Sequence, residues 1–316
     1  MKQSIITTSA LGMLSTLVFA GTTEVEMASN SANDGFSGAR RPISNPTLFD
    51  LALPTTNIHP LFIYHGLPNR INTTAAAEDL ALGGDVELYA LQFEIALNER
   101  LSIVAAKDGY VVMDPDETLT DQSGFANLGL GMKYAFLLDP VSETVISGTL
   151  SFELPTGNSD VFQGEGDGAA NLILSGLKLV DDWQFAGGLG FQIPFSDEQS
   201  TSGWMSAHVS YEVCSWFIPL VEVNWFRVLD AGNGTGNFPS QVDGAVPAVV
   251  QFEGGDLFNL GAVNSVDNRD MVTAALGFRS RITDSVDVGC AYEIPLTSEE
   301  NGIMDERVTV DLIWTF

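Results

Sequence analysis

The closing segment RVTVDLIWTF, residues 307–316, alternates apolar and polar side chains along its whole length. Its even-numbered positions are all apolar, and its odd-numbered positions are polar except for Ile313. Successive side chains of a β-strand point to opposite faces, so this alternation predicts a strand that is apolar on one face only. The pattern returns in NLGLGMKYAFLL (127–138) and WQFAGGLGFQI (183–193), which indicates an all-β chain.

Twelve such strands are predicted beyond residue 57, and short turns alternate with long loops between them. This alternation is typical of outer-membrane barrels, whereas an open sandwich, the alternative, has no reason to keep the two lengths in phase. Because lipid offers no hydrogen-bond partner to a sheet edge, a membrane sheet has to close. We therefore predict a transmembrane antiparallel up-and-down β-barrel of about 12 strands, with its short turns in the periplasm. The predicted strands are 58–66, 84–97, 101–113, 125–138, 144–154, 169–180, 183–194, 203–213, 218–228, 271–281, 286–295 and 304–316.

The charge balance excludes one large class of partner. The chain has 13 Lys and Arg against 41 Asp and Glu, a formal net charge of −28. Nucleic acid is bound by basic surfaces, so no nucleic-acid partner is expected. Two cysteines in 316 residues exclude a disulfide scaffold, and no cysteine spacing suggests zinc. We predict no metal and no cofactor.

The amino terminus predicts export. Lys2 precedes an apolar stretch over 5–19, so residues 1–20 are predicted to be a signal peptide cut after Ala20, with an uncleaved anchor as the alternative. Residues 21–57, rich in Ser, Asn, Gly and Pro, are predicted to form an irregular periplasmic lead-in or plug. A tether outside the barrel is favoured over a plug. Residues 58–316 are predicted to form the barrel, in the outer membrane.

Charged side chains on the polar strand faces are the candidate lumen residues. They form either a constriction that filters solutes by size and charge or a structural network that stiffens the barrel. Arg279 and Arg281, two residues apart on one face, make the most basic patch of the wall and would prefer an anionic carboxylate, although Asp287 and Glu293 are placed to neutralise it. The predicted pore-lining residues are Glu94, Lys133, Glu153, Lys178, His208, Glu212, Glu222, Arg279, Arg281, Asp287, Glu293, Arg307 and Asp311.

Aromatic side chains gather at the predicted strand ends, as Trp183, Trp314 and Phe316 show. Membrane barrels place girdles of aromatic residues at both interfaces. Phe316 is predicted to be the membrane-insertion signal read by the outer-membrane insertion machinery. The other predicted partners are membrane lipid and a small-molecule solute.

Catalysis and metal binding are weaker hypotheses. His208 and Ser206 share the polar face, and a barrel phospholipase could use such a pair, but both point away from lipid. The acidic long loops offer oxygen ligands for calcium, yet a solvated acidic rim is favoured. The long loop over 229–270 contains the apolar piece AVPAVV (245–250), which either folds inward or covers the mouth.

Several segments together resemble a known family. NLGLGMKY (127–134) and GTLSFELPTG (148–157), with later echoes in GGLGFQIP (187–194) and YEIP (292–295), are similar to the repeated glycine-rich strands of the outer-membrane family named for the meta-cleavage pathway of phenol degradation. The resemblance implies a small transporter-like channel for hydrophobic or aromatic compounds, and it assigns no site residues. Long-chain fatty-acid transporters differ, because residues 21–57 are too irregular to predict their well-formed plug.

The predicted function is therefore an outer-membrane channel or transporter for small, hydrophobic or aromatic solutes, and not an enzyme. One alternative is a non-conducting barrel with a structural or adhesive role through its acidic extracellular loops. An outer-membrane phospholipase is the other.

Overall fold

The computed structural model describes residues 33–71, 80–164, 166–233, 237–241, 245–247 and 269–316. The predicted signal peptide lies outside these residues. Short 3-10 helices are described at Asn33–Phe36, Ser159–Val161 and Glu299–Asn301. None of the helices described is long and apolar enough to cross a membrane.

The described strands form one antiparallel sheet of twelve strands, which confirms the predicted barrel. The third and fourth of these strands are each divided by a short break, and the two breaks lie side by side in the sheet. The bounds differ from the predicted ones by three residues at most. Two short ladders extend the loops, Arg70–Ile71 with Leu80–Ala81 and Asn237–Pro239 with Ala245–Pro247. The strands are β1 (Asn57–Gly66), β2 (Asp85–Asn98), β3 (Leu101–Lys107 and Tyr110–Asp114), β4 (Gln122–Phe125 and Leu128–Asp139), β5 (Thr144–Leu154), β6 (Ala169–Val180), β7 (Trp183–Pro194), β8 (Thr201–Tyr211), β9 (Ile218–Asp230), β10 (Asp270–Thr283), β11 (Val286–Pro295) and β12 (Glu306–Thr315).

The sheet closes because β1 pairs along both of its edges. Asn57 lies opposite Thr315 of β12 on one side and opposite Glu94 of β2 on the other. Each of the other strands pairs with its neighbours in the chain. Among the described residues, each of the twelve strands has a neighbouring strand on both sides, which is the condition that lipid imposes on a membrane sheet.

The two faces of the sheet have opposite chemistry. In β4, Leu130 and Met132 point outward and are 54% and 51% exposed, whereas the adjacent Lys133 points inward and is 1% exposed. At the end of the barrel that carries the short turns, here called the short-turn end, the rings of Trp314 and Phe316 pack together on the outside. An outer face this apolar is unfavourable in water and is stabilised by contact with acyl chains.

A β-bulge in β3 changes the face that its side chains occupy. Phe93 of β2 lies opposite Ala105, but Tyr89 lies opposite Tyr110, so β3 contains one extra residue between these pairs. An extra residue moves the side chains that follow it to the opposite face. Lys107, which strict alternation places outside, therefore points into the barrel and is buried.

The long loops contribute side chains to the barrel interior at their own end. Phe162 from the β5–β6 loop and Ile303 from the β11–β12 loop pack against Leu61, Ile63 and Val111 of the wall. This buried apolar cluster occupies the lumen at the long-loop end. The rest of the inward face is mainly polar.

Candidate functional site

Residues 37–56, here called the plug, lie inside the barrel. The segment starts at the short-turn end, where Phe36 packs in a buried apolar cluster, and it ends at Asn57, the first residue of β1. Between these points it reaches Glu222 in the middle of β9. The prediction of a tether outside the barrel is therefore wrong for this segment, because the polar wall supplies partners that an irregular backbone lacks by itself. Residues 21–32 lie outside the described residues.

Two charges of the plug and two of the wall form a buried cluster. Lys133 Nζ lies 2.7 Å from Asp50 Oδ2 and 3.0 Å from Glu94 Oε2. Arg41 donates to Glu94 Oε2 at 3.2 Å and also to Asp50. Burial by itself would raise the pKa of Asp50, but the nearby Arg41 guanidinium and Lys133 ammonium outweigh it and hold that pKa well below its usual range. Asp50 is therefore ionised at neutral pH.

Glu222 of β9 binds the plug through backbone groups. Its Oε1 accepts from Ile43 N at 2.9 Å and its Oε2 from Ser44 N at 2.7 Å. His208 Nδ1 lies 2.7 Å from the same Oε1, and Asn224 Nδ2 donates to Ser44 Oγ at 2.9 Å. The carboxylate thus holds two successive peptide N–H groups that would otherwise be buried without partners.

Arg40 connects the plug to the wall near the short turns. Its backbone N–H donates to Gln184 Oε1 at 2.7 Å, and Gln184 Nε2 donates to the carbonyl of Arg40 at 2.6 Å. The guanidinium forms an ion pair with Glu212 at 3.1 Å. One amide side chain of β7 therefore satisfies both backbone polar groups of a plug residue.

An aromatic ring of the plug fits where the wall has no side chain. A Cβ added at Gly188 would lie 2.9 Å from the ring of Phe49, which is 1% exposed. Trp204 Nε1 donates to the carbonyl of Leu48 at 3.2 Å on the adjacent strand. The glycine-rich stretch of β7 therefore makes room for Phe49.

The wall also carries charge pairs of its own. Arg279 donates to Asp311 at 3.0 Å from both terminal nitrogens, and His59 Nε2 lies 2.9 Å from the same carboxylate. Lys107 Nζ lies 2.6 Å from Glu153 Oε1. Buried charges are tolerated when they are paired and hydrogen-bonded in this way.

The comparisons with known proteins agree with this architecture. Residues 62–280, more than half of the chain, match the family model described as the MetA-pathway of phenol degradation. The chain belongs to this family. The resemblance inferred from the glycine-rich strands is thus confirmed. No curated protein matches the chain at a significant level.

Solved β-barrel structures align with the chain, and one of them does so with a TM-score above 0.5. An outer membrane channel from Pseudomonas putida F1 aligns with a TM-score of 0.55 at 15% identity, over 88% of this chain and 100% of that one. The KdgM porin aligns with a TM-score of 0.43 at 9% identity, over 82% and 99%. The β domain of the Bordetella autotransporter BrkA aligns with a TM-score of 0.47 at 11% identity, over 83% of this chain and 100% of that one. The chain is an outer-membrane β-barrel, as predicted.

Twelve of the thirteen predicted pore-lining side chains lie in the lumen or at its mouth. Glu212, Arg281 and Asp287 lie at the short-turn end and are partly exposed. The other nine are buried. Pore lining in an open channel stays a prediction for all twelve. The nine are Glu94, Lys133, Glu153, His208, Glu222, Arg279, Glu293, Arg307 and Asp311.

The prediction for Lys178 is wrong. Its neighbours Leu177 and Leu179 point inward and are buried, so Lys178 lies on the outer face of β6 near the short-turn end. There its ammonium donates to the carbonyl of Ser142 in the adjacent turn. A long cationic side chain can reach the polar interface from an otherwise apolar face.

The Ser206–His208 pair that the phospholipase alternative would need is not formed. Ser206 Oγ donates to Asn224 Oδ1 at 2.7 Å, whereas His208 Nε2 lies 2.9 Å from Ser210 Oγ. His208 and Ser210 are both buried inside the barrel, away from lipid.

Several charged or titratable side chains inside the barrel are not among the predicted pore-lining residues. Arg40, Arg41 and Asp50 belong to the plug, which has no periodic pattern to assign a side chain to a face. Lys107 is not predicted because the bulge in β3 moves it to the inner face. His59 could have been found, because it alternates with apolar inward residues of β1.

The structure describes only part of the loops considered for calcium or for covering the mouth. Among the described residues, no group of three or more His, Cys, Asp or Glu side chains is placed to hold a metal ion. Residues 245–247 pair with 237–239, and residues 248–250 lie outside the described residues.

A cavity of about 450 Å³ lies below the plug at the short-turn end, and we call it the vestibule. Phe36, Leu51 and Leu53 line it with apolar surface, and Ile313 of the wall lies next to Asp287. Arg281 and Asp287 give it a charged side, and its rim includes Asp284 and Ser285 in the exposed β10–β11 turn.

Proposed function

We propose that the protein is a channel for small molecules whose lumen is closed by the plug and opens when the plug moves. The observation that carries the proposal is the way in which the plug is held. No described residue of 37–56 belongs to a strand, and β1 closes the barrel by pairing with β12 and β2. The plug can therefore leave without opening a sheet edge.

The charges of the plug and of the barrel wall also allow the two to separate. If the plug leaves, Lys133 remains paired with Glu94 on the wall, and Arg41 remains paired with Asp50 within the plug. Unpaired buried charges cost several kcal/mol, by general estimates about 3–5 kcal/mol when one partner is removed. The pair of Arg40 with Glu212 does separate, but Glu212 is partly exposed at the short-turn end and lies 3.9 Å from Arg281 on the wall. The closed state is therefore reversible by local movement.

The emptied lumen would be narrow. Eight-stranded barrels are just filled by side chains and barrels of sixteen or more strands leave a wide channel, so twelve strands suit small solutes. The family description refers to phenol degradation, which supports small hydrophobic or aromatic compounds as the solutes. With the short turns in the periplasm, as predicted, the plug would enter from that side.

A reversible crosslink tests the proposal. Ser44→Cys and Asn224→Cys place a disulfide where Ser44 Oγ and Asn224 Nδ2 now make a 2.9 Å hydrogen bond, in a background carrying Cys214→Ser and Cys290→Ala. In liposomes, the oxidised protein should pass no solute, and reduction should restore flux to the level of the two single-cysteine controls. Equal flux before and after reduction would rule out the plug as the gate. An absence of flux in every form would rule out the channel.

A non-conducting barrel with a structural or adhesive role remains the second candidate. It is favoured by the apolar cluster at the long-loop end, where Phe162 and Ile303 occupy the lumen. No such support exists for a phospholipase, because His208 and Ser210 face the interior. Fatty-acid release that persisted after His208→Ala would exclude that residue as its base.

A further inference from the structure

Arg279 and Arg281, the two arginines of the basic patch on β10, differ in how many of their guanidinium donors have a hydrogen-bond partner. Arg279 is 0% exposed and donates to Asp311 and to the carbonyl of Arg41. Arg281 lies 3.7 Å from Asp287 and 3.9 Å from Glu212. Both distances exceed hydrogen-bond length, and within the described part of the chain its guanidinium makes no hydrogen bond. Arg281 thus has free donors although it is only 21% exposed.

These free donors border the vestibule. Its volume of about 450 Å³ is within the range of roughly 300–1,000 Å³ that small-molecule sites occupy. Phe36 and Leu53 line it with apolar surface, and Ile313 of β12 adds to that surface next to Asp287, its partner in the sheet. The cavity therefore offers an apolar surface and a planar hydrogen-bond donor to one small occupant.

We infer that the vestibule is a binding site for a small amphipathic carboxylate, with its anionic group on Arg281 and its apolar body against Phe36 and Leu53. A guanidinium presents parallel N–H groups that match the two oxygens of a carboxylate. Asp287 and Glu212 compete for the same guanidinium, but from distances at which they leave its donors unsatisfied. Solute would bind at this site next to the closed plug before it passes through the lumen, a role that rests on the proposed channel function.

Benzoate and benzamide are a suitable pair of probes because they share a shape and differ in charge. Binding is measured by saturation-transfer NMR titration of the full-length protein, folded in detergent micelles. Benzamide reports partition into the micelle and contact with the apolar side. Benzoate should bind more tightly than benzamide.

Three variants test the role of Arg281. Arg281→Gln should weaken benzoate binding by about tenfold and leave benzamide unchanged. Asp287→Asn should have the opposite effect and tighten benzoate, because it removes a competing carboxylate. Lys178→Gln is the matched control, since it removes a cation at the same end but on the outer face. Heat-modifiable gel mobility checks that each barrel is folded.

If Arg281→Gln fails to fold, Arg281→Lys and Asp287→Asn still give opposite predictions, weaker and tighter binding. The inference is overturned if benzoate and benzamide bind equally, if Asp287→Asn does not tighten benzoate, or if benzylamine binds more tightly than benzoate. If the wild-type protein binds no benzoate while the reduced Ser44→Cys/Asn224→Cys protein still passes solute, this site alone is overturned. Binding without flux would overturn the channel and leave the site.

Discussion

Asp50→Asn should loosen the plug and leave the barrel folded. Asp50 is the plug carboxylate that both Arg41 and Lys133 contact, with Lys133 Nζ at 2.7 Å from Oδ2. Asparagine keeps the shape of the side chain and removes its charge. In the plugged state the two cations would then share Glu94 alone.

The size of the effect follows from burial. Removing one partner of a buried ion pair costs about 3–5 kcal/mol. Because Glu94 remains as a partner for both cations, we take the lower end, about 3 kcal/mol. In the released plug the pair of Asp50 with Arg41 is exposed to water, where such pairs contribute about 0–1 kcal/mol. At about 1.4 kcal/mol per factor of ten, the fraction of open protein should rise by roughly a hundredfold.

A buried cysteine in the plug reports that fraction. Ser44 is 0% exposed, so Ser44→Cys, in the background without Cys214 and Cys290, should react with a membrane-impermeant maleimide only when the plug is out. When opening and closing are fast relative to labelling, the rate follows the open fraction. Asp50→Asn should raise this rate about a hundredfold.

Asp181→Asn is the control, because Asp181 is an exposed turn residue at φ 51°, a conformation that asparagine tolerates well. It should leave the labelling rate unchanged. Equal rates in the parent Ser44→Cys protein and in its Asp50→Asn and Asp181→Asn variants, with all three barrels folded by gel mobility, would mean that these ion pairs do not hold the plug.

Three further predictions use the same labelling assay. Because the pKa of Asp50 is lowered in the plugged state, its contribution to closure is complete above the ordinary value of 3.8 and is lost as pH falls below it. Since maleimide reacts with the thiolate, each rate is divided by the rate of the same cysteine in the denatured protein at that pH. This ratio should be flat from pH 5 to 8 and rise in stronger acid, and a rise of the ratio between pH 8 and 5 would point to another group. Glu222→Gln should raise the rate about tenfold, since hydrogen bonds to a charged group contribute about 1.5–3 kcal/mol and the amide keeps one acceptor oxygen; no change would mean that Ile43 and Ser44 are held by other contacts. Gly188→Leu should displace Phe49 at a cost of about 1–3 kcal/mol and raise labelling, whereas Gly187→Leu on the outer face should not.

The strands could be predicted because the environment imposes a simple rule on them. A wall with lipid outside and polar groups inside needs one apolar face. Because successive side chains of a strand point to opposite faces, this requirement produces a two-residue alternation in the sequence. The segment 183–193 shows the rule clearly, and β7 was predicted to its last residue. Loop lengths then gave the up-and-down order, since consecutive strands pair around the whole barrel.

The same rule failed where a local feature overrode the period. Lys107 follows an extra residue in β3, and the sequence carries no clear mark of that bulge. Lys178 was assigned by polarity, but it lies near a strand end where the interface admits a cation on the outer face. A charge therefore indicates the lumen reliably only in the middle of a regular strand.

The barrel, its strand number and the polarity of its two faces are predictable from the amino-acid pattern, because each depends on side chains that are neighbours along the chain. The folded barrel is needed to show that residues 37–56 lie within the lumen, that Glu222 binds two of their peptide groups, and that Arg281 but not Arg279 has free donors. These contacts join groups far apart in the chain, such as Lys133 and Asp50, and a plug without periodicity leaves no local pattern of its partners. Pairing across the lumen depends on which side chains the closed wall brings together.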